Sequence, residues 1–222
     1  MSTDSKIDVF FLIDISGSMT GEPIDSISNC VRDILNTLCT DQRTLGRIRL
    51  CINTYNSKIY ENHKLELVEN LSLNFNSLGI AEGPTHSGAA IENILLKIKE
   101  TMVEYHNKDH RYKKPLLFHI TDGFPSDIQL FNEIIDKLKR QKINTIGCGI
   151  GATADLKSLK SISNKVIYLD KNDRLSINQF SKLLSAIIIY HLYSDNDDLD
   201  YFEILNPTNP TKPILMDKIM IL

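Results

Sequence analysis

Val9-Phe-Phe-Leu-Ile-Asp14-Ile-Ser16-Gly-Ser18-Met-Thr-Gly21-Glu-Pro23 decides how this chain is read. A solid apolar run ends in a carboxylate and two hydroxyls at alternate positions. A run apolar on both faces fits a central strand of a parallel sheet. Asp, Ser and Ser have no use inside such a strand, but they suit its carboxyl end, where open α/β sheets bind ligands. Pro23 then opens a helix, since proline at a first turn forfeits no hydrogen bond. Asp14 is therefore expected at a strand end, outside the core.

Those three oxygens fit a hard divalent cation. Mg2+ takes oxygen ligands in octahedral geometry and keeps several waters. Further oxygens must come from elsewhere in the chain. Two segments can supply them: Gly83-Pro-Thr85-His-Ser-Gly88, a loop opening a helix, and Ile120-Thr-Asp122-Gly123, at the end of another apolar strand.

The remaining segments alternate between strand and helix patterns. Strands are predicted at 7–13, 47–55, 58–67, 115–121, 143–150 and 166–169, the second and third forming an antiparallel hairpin across Asn56-Ser57. Residues 71–78 are ambiguous and are read as a short helix. Capping boxes at Ser126-Asp-Ile-Gln129 and Ser176-Ile-Asn-Gln179 announce two of the helices. Such alternation predicts an α/β fold, a Rossmann-like three-layer α/β/α sandwich. Its sheet is expected to be mostly parallel and six-stranded, in the order 3-2-1-4-5-6, with one antiparallel edge strand. Strands 1 and 4 then lie side by side, and Asp14 and Asp122 project into one crevice.

The pattern Asp14-x-Ser16-x-Ser18, a distant Thr85 and a distant Asp122-Gly resembles the metal-ion-dependent adhesion site of von Willebrand factor A domains. The resemblance covers roughly residues 6 to 191, and all five positions match. The wording of Asp14 to Pro23 and of Thr121-Asp-Gly-Phe-Pro-Ser-Asp127 is most similar to bacterial tellurite-resistance-type members. This likeness implies a non-enzymatic interaction module. Its metal would be held by Asp14, Ser16, Ser18, Thr85 and Asp122: Mg2+, with Mn2+ or Ca2+ as alternatives. It also implies a protein partner that supplies an Asp or Glu to the metal, and a stress-response setting beside a kinase or phosphatase.

Composition narrows the alternatives. The 222 residues are expected to form one domain over 1–193, followed by an acidic, proline-containing linker and apolar extension over 194–222. The formal charge of −3 offers no general attraction to nucleic acid or anionic membrane. No signal-peptide pattern opens the chain, and no apolar run nears the ~20 residues of a membrane span, so a cytoplasmic location is expected. Cys30, Cys39, Cys51 and Cys148 form no Cys-x-x-Cys pair and are read as reduced core residues. His119 is read as a satisfied strand histidine. The rival chemistry is a nucleotide-binding oxidoreductase built on Gly149-Ile-Gly151-Ala-Thr-Ala154 with Asp170 beyond it, a pattern close to a dinucleotide fingerprint. No nucleophile elbow or phosphate loop is present.

Overall fold

A computed structural model describes residues 5–71, 75, 77–106, 109, 111–169, 174–194 and 219–221. Its strands are β1 (Ile7–Asp14), β2 (Ile48–Tyr55), β3 (Ile59–Leu67), β4 (Leu116–Thr121), β5 (Asn144–Ile150), β6 (Lys165–Leu169) and β7 (Ile219–Ile221). Its helices are α1 (Glu22–Thr40), α2 (Val68–Leu71), α3 (Ser87–Thr101), α4 (Ile128–Lys139), α5 (Leu156–Ile162) and α6 (Arg174–Tyr193). One turn of π-helix, Met102–His106, continues α3.

The sheet order is β3-β2-β1-β4-β5-β6-β7. β2, β1, β4, β5 and β6 run parallel, as expected. β3 is the antiparallel partner of β2. Six strands thus stand in the expected order, and the chain adds a seventh. β7, from the extension, pairs antiparallel with β6 through Ile167–Ile221, Tyr168–Met220 and Leu169–Ile219. Both sheet edges are therefore antiparallel, not one.

β1 explains the layering. Every one of its residues is buried. Successive side chains of a strand point to opposite faces. Val9, Phe11 and Ile13 accordingly join one core with Ile27, Val31 and Ile34 of α1 and Phe180, Leu184 and Ile188 of α6. Phe10 and Leu12 join a second core with Ile91 and Ile94 of α3, Phe131 and Ile134 of α4, and Leu159 of α5. Two apolar layers on one two-faced strand make β1 the middle of the sandwich.

Several local expectations are corrected. Of the predicted helix at 71–78, Leu71 closes the four-residue α2 and residues 75, 77 and 78 are not helical; residues 72–74 and 76 lie outside the described set. The box at Ser126 does not cap its own helix. Asp127 occupies the N-cap position of α4 without a side-chain cap bond. Its carboxylate instead accepts from Gly88 N (3.0 Å) and Ala89 N (2.8 Å), across the sheet end at the start of α3. The box at Ser176 also fails as a start signal, because α6 begins two residues earlier, at Arg174.

The Asp127 tie brings α3 and α4 close. A Cβ on Gly88 would stand 2.5 Å from Phe131 N and 2.9 Å from Leu130 C, both main-chain atoms that cannot swing aside. Gly88→Ala is therefore expected to destabilise the domain by about 2 kcal/mol or more, despite alanine's better helix propensity. Urea denaturation measures it. A variant as stable as the wild type would show that the helices separate freely.

Candidate metal centre

The carboxyl ends of β1 and β4 meet as the topology requires. Their register pairs Ile13 with Ile120, which sets Asp14 beside Thr121. Just beyond β1 the chain forms a 3-10 turn, Gly17–Met19. Met19 is completely buried and plants this turn in the α1-side core. Gly21 follows at φ 81°, a left-handed conformation that glycine adopts without strain, and it leads into α1 through Glu22 and Pro23. The neighbouring loop is pinned to the turn by main-chain bonds, Gly17 N to Gly83 O (2.8 Å) and Glu82 N to Ile15 O (2.9 Å). That loop is fixed in turn to the segment after β4. Ser126 N donates to Thr85 O (2.7 Å), and Thr85 N donates to Ser126 Oγ (3.1 Å).

These ties bring Asp14, Ser16, Ser18, Thr85 and Asp122 together. Asp14 Oδ1 accepts from Ser16 N (2.8 Å), and its Oδ2 accepts from Thr121 Oγ1 (2.6 Å). Ser16 Oγ and Ser18 Oγ share a hydrogen bond of 3.1 Å, and Ser18 Oγ donates to Asp122 Oδ1 (2.6 Å). Thr85 closes the ring. The position where Gly123 lacks a Cβ lies 3.6 Å from both Ser18 Oγ and Thr85 Oγ1. A side chain there would crowd the two hydroxyls. His86, which neighbours Thr85 and stands at the N-cap position of α3, makes no side-chain cap bond.

Asp14 is not outside the core, as its place at a strand end suggested: it is fully buried. Burial pushes its carboxyl up to about 6, and the nearby charge of Asp122 adds to the rise. Burial also raises Asp122. Among the described residues, no lysine or arginine contributes to either shift. Two carboxylates and three hydroxyls thus converge with no compensating cation among the described residues. This donor set fits a hard divalent ion, which would supply that charge and take oxygen ligands. With only two carboxylates, the group is not a calcium-type acidic cage, and no cluster of three or more His, Cys, Asp or Glu suited to a metal occurs among the described residues.

Beneath the site lies a polar plug that the sequence reading missed. Tyr55 is paired in register with Asp14. Its buried hydroxyl meets His119 Nε2 (2.7 Å) and Ser87 Oγ (3.0 Å). His119 is only half satisfied, because its buried Nδ1 has no partner among the described residues. Burial lowers this imidazole to about 4. Thr121 was visible only as part of the Thr-Asp-Gly wording, yet it holds Asp14. Two polar residues in succession at a strand end were the available signal.

Asp14 and His119 titrate over one pH window with opposite signs. The Asp14 carboxyl holds its proton more tightly in the fold (about 6 against 3.8), so its contribution is favourable at low pH and is lost as pH rises through 6. His119 resists protonation in the fold (about 4 against 6.5), so its contribution is intact above 6.5 and is lost as pH falls toward 4. Each shift corresponds to roughly 3 kcal/mol, so in metal-free protein the two largely cancel. Asp14→Asn removes one side of that balance. On acidification from pH 6.5 to 4 in chelator, it is expected to lose roughly 2 kcal/mol more stability than the wild type. Urea midpoints at the two pH values measure this, and parallel losses would mean that Asp14 titrates as an ordinary carboxyl.

The rival glycine loop is occupied by packing. A Cβ on Gly147 would meet Ser163 Oγ at 2.7 Å, and one on Gly149 would meet Leu156 Cδ2 at 2.9 Å, so these glycines admit α5 to the sheet. The amides of Lys157 and Ser158 at the start of α5 already donate to Asp155 Oδ1 at 3.2 Å. The seven-residue α5 therefore offers no free amide pair to a pyrophosphate. Asp170, the expected ribose partner, lies outside the described residues.

Comparison with known proteins places the fold. No match was found among curated protein sequences. Among solved structures, the chain is similar to the manganese-loaded TRAP protein of Plasmodium vivax, with a TM-score of 0.56, 20% identity and coverage of 78% of this chain and 72% of that one. It is also similar to the ArnB paralog VWA2 of Sulfolobus acidocaldarius, with a TM-score of 0.59, 17% identity and coverage of 82% and 45%. A third is proximal thread matrix protein 1 of the mussel byssus with a zinc-occupied MIDAS motif, with a TM-score of 0.59, 16% identity and coverage of 82% and 46%. The chain spans less than half of the latter two, and at these identities the likeness establishes the fold alone. The family model for the von Willebrand factor type A domain matches residues 8–182. The chain belongs to the von Willebrand factor type A domain family.

Proposed function

We propose that this chain is a metal-dependent protein-interaction domain without enzymatic activity. Its metal-ion-dependent adhesion site would hold Mg2+ through Asp14, Ser16, Ser18, Thr85 and Asp122. The observation that carries this reading is the convergence of those oxygens with a Thr85 hydroxyl that makes no hydrogen bond to another described residue. Manganese and zinc in two neighbours of the same fold support a divalent ion. The hydroxyls of Ser16 and Ser18 can keep donating to their present partners while their lone pairs face a cation. Asp14 and Asp122 then orient these ligands more than they enclose the ion. These neutral oxygens would leave a bound ion electrophilic enough to take an Asp or Glu from a partner protein.

No helix among the described residues is long and apolar enough to cross a membrane. The setting we propose is cytoplasmic. The wording around Asp14 and Asp122 resembles tellurite-resistance-type members, which favours a stress-response assembly containing a kinase or phosphatase.

Thermal melting tests the reading against its rival. A ligand present at 100 times its Kd stabilises the fold by about 2.7 kcal/mol. For a domain of this size that is a rise of about 5–10 °C. Mg2+ is expected to produce such a rise and NAD none. A rise with NAD and none with Mg2+ would move the function to the Gly149 loop.

A further inference from the structure

The exposed apolar side chains of this domain are unevenly distributed. Among the described residues, the four most exposed large ones are Ile80 (82%), Phe124 (68%), Ile128 (64%) and Leu175 (63%). All four stand in the connections at the carboxyl end of the parallel strands, the end that carries the metal centre. Scattered single apolar residues on a surface carry no message, but a group at one end does.

Three of the four border the centre itself. Ile80 precedes Ala81, whose carbonyl accepts from Thr20 Oγ1 at 3.1 Å, two residues beyond Ser18. Phe124 follows Gly123, which abuts Ser18 and Thr85 on the Asp122 side. Ile128 is two residues beyond Ser126, which is bonded to Thr85 through both main chain and side chain. The loop 81–85 runs from Thr20 past Gly17 to Thr85, so Ile80 stands at its Thr20 end and Phe124 and Ile128 stand at its Thr85 end. Ile128 also lines a shallow depression at the start of α4 with Ser126, Asp127 and Gln129.

From this placement we infer that the partner is a protein segment presenting one carboxylate between large apolar side chains, not an isolated acidic cluster. The inference rests on the proposed metal site and specifies its ligand. The ion attracts the carboxylate, and the apolar collar covers what lies beside it. An extended segment advances about 3.3 Å per residue, so residues one or two positions from the acid reach the collar on either side. Apolar area removed from water then adds to an interaction that a carboxylate alone leaves weak. Exposed Ile80 and Phe124 thereby set specificity, while the oxygen cluster sets the requirement for metal.

Three fluorescent peptides test this by anisotropy in Mg2+: one aspartate flanked by leucines, the same aspartate flanked by serines, and an asparagine flanked by leucines. The leucine-flanked aspartate is expected to bind about tenfold tighter than either control. Ile80→Ser and Phe124→Ser change exposed positions and are expected to fold normally. They should reduce that preference several-fold while calorimetry gives wild-type Mg2+ affinity. Equal binding of the leucine- and serine-flanked peptides overturns the inference. So does undiminished preference in both variants, or binding of the asparagine peptide as tight as the aspartate one. The absence of any peptide binding up to millimolar concentration, with Mg2+ bound, overturns it as well. Self-association that blocks the peptides would assign the collar to a second copy of the chain and overturn the inference too. Failure of Mg2+ itself to bind would instead overturn the proposed function on which the inference rests.

Discussion

Asp14→Ala is expected to lose the Mg2+-dependent rise in melting temperature, with affinity reduced at least about a hundredfold. The carboxylate is buried, and it positions the site from both of its oxygens, through Ser16 N and Thr121 Oγ1. Removing one member of a buried charge pair costs about 3–5 kcal/mol, which corresponds to two orders of magnitude or more in binding. The metal-free fold should respond far less. The substitution takes the partner of the Ser16 amide and leaves the Thr121 hydroxyl with the Gly123 amide but no acceptor, at about 1–3 kcal/mol. It also removes a carboxylate whose burial raises it to about 6, and near pH 7 that relief is of similar size. The two changes offset each other, so the variant should melt within a few degrees of metal-free wild type and ignore added Mg2+. Calorimetric titration with Mg2+ measures the first effect, and melting in chelator measures the second. Wild-type affinity in this variant would remove Asp14 from the site. A variant that cannot fold would show that the Asp14–Thr121 contact is structural first.

The fold was legible in the sequence because its central strands are buried on both faces. Phe10, Phe11, Leu12 and Ile13 can be placed only between two layers, and the β1–β4 neighbourhood then follows from topology. Asp14, Ser16, Ser18 and Asp122 were legible for a related reason: polar residues that interrupt an apolar run at a strand end have few structural uses. Thr85, in the loop that opens α3, carries no such signal of its own. What escaped the reading was the set of contacts between segments remote in sequence. Ser126 and Asp127 have the residue types of a helix cap, but their bonds go to Thr85, Gly88 and Ala89. Local pattern reading cannot tell one helix start from another nearby. β7 escaped for a different reason: a three-residue strand has too few residues to show alternation, and its partner β6 lies about fifty residues earlier in the chain. The burial of Asp14 was hidden because a strand end looks exposed until the loop at Gly83 is laid across it.

Chelation is expected to dissociate a partner completely, and Thr85→Ala is expected to weaken the partner while sparing the fold. If the ion bridges the two proteins, its removal leaves Asp14, Asp122 and the partner's carboxylate facing one another. Like charges set together in an interface cost several kcal/mol, about a hundredfold or more in affinity. Rim electrostatics behave differently, because they fade gradually with salt over a Debye length. An abrupt dependence on metal at constant ionic strength therefore separates bridging from steering. Thr85 sharpens the test. Its main-chain amide and carbonyl hold Ser126, and alanine keeps both bonds. Its hydroxyl lies across Gly123 from Ser18 and makes no hydrogen bond to another described residue, so the fold loses little when it is removed. The charge of the site is unchanged. Loss of one ion ligand should then appear as about tenfold weaker Mg2+ binding and a matching loss of partner at limiting Mg2+, with recovery as Mg2+ is raised. Surface plasmon resonance across a Mg2+ series, with the wild type and Thr85→Ala side by side, reads all of this. A partner held equally well in chelator and by Thr85→Ala would place the interface away from this end of the sheet and leave the ion, if bound, a structural role.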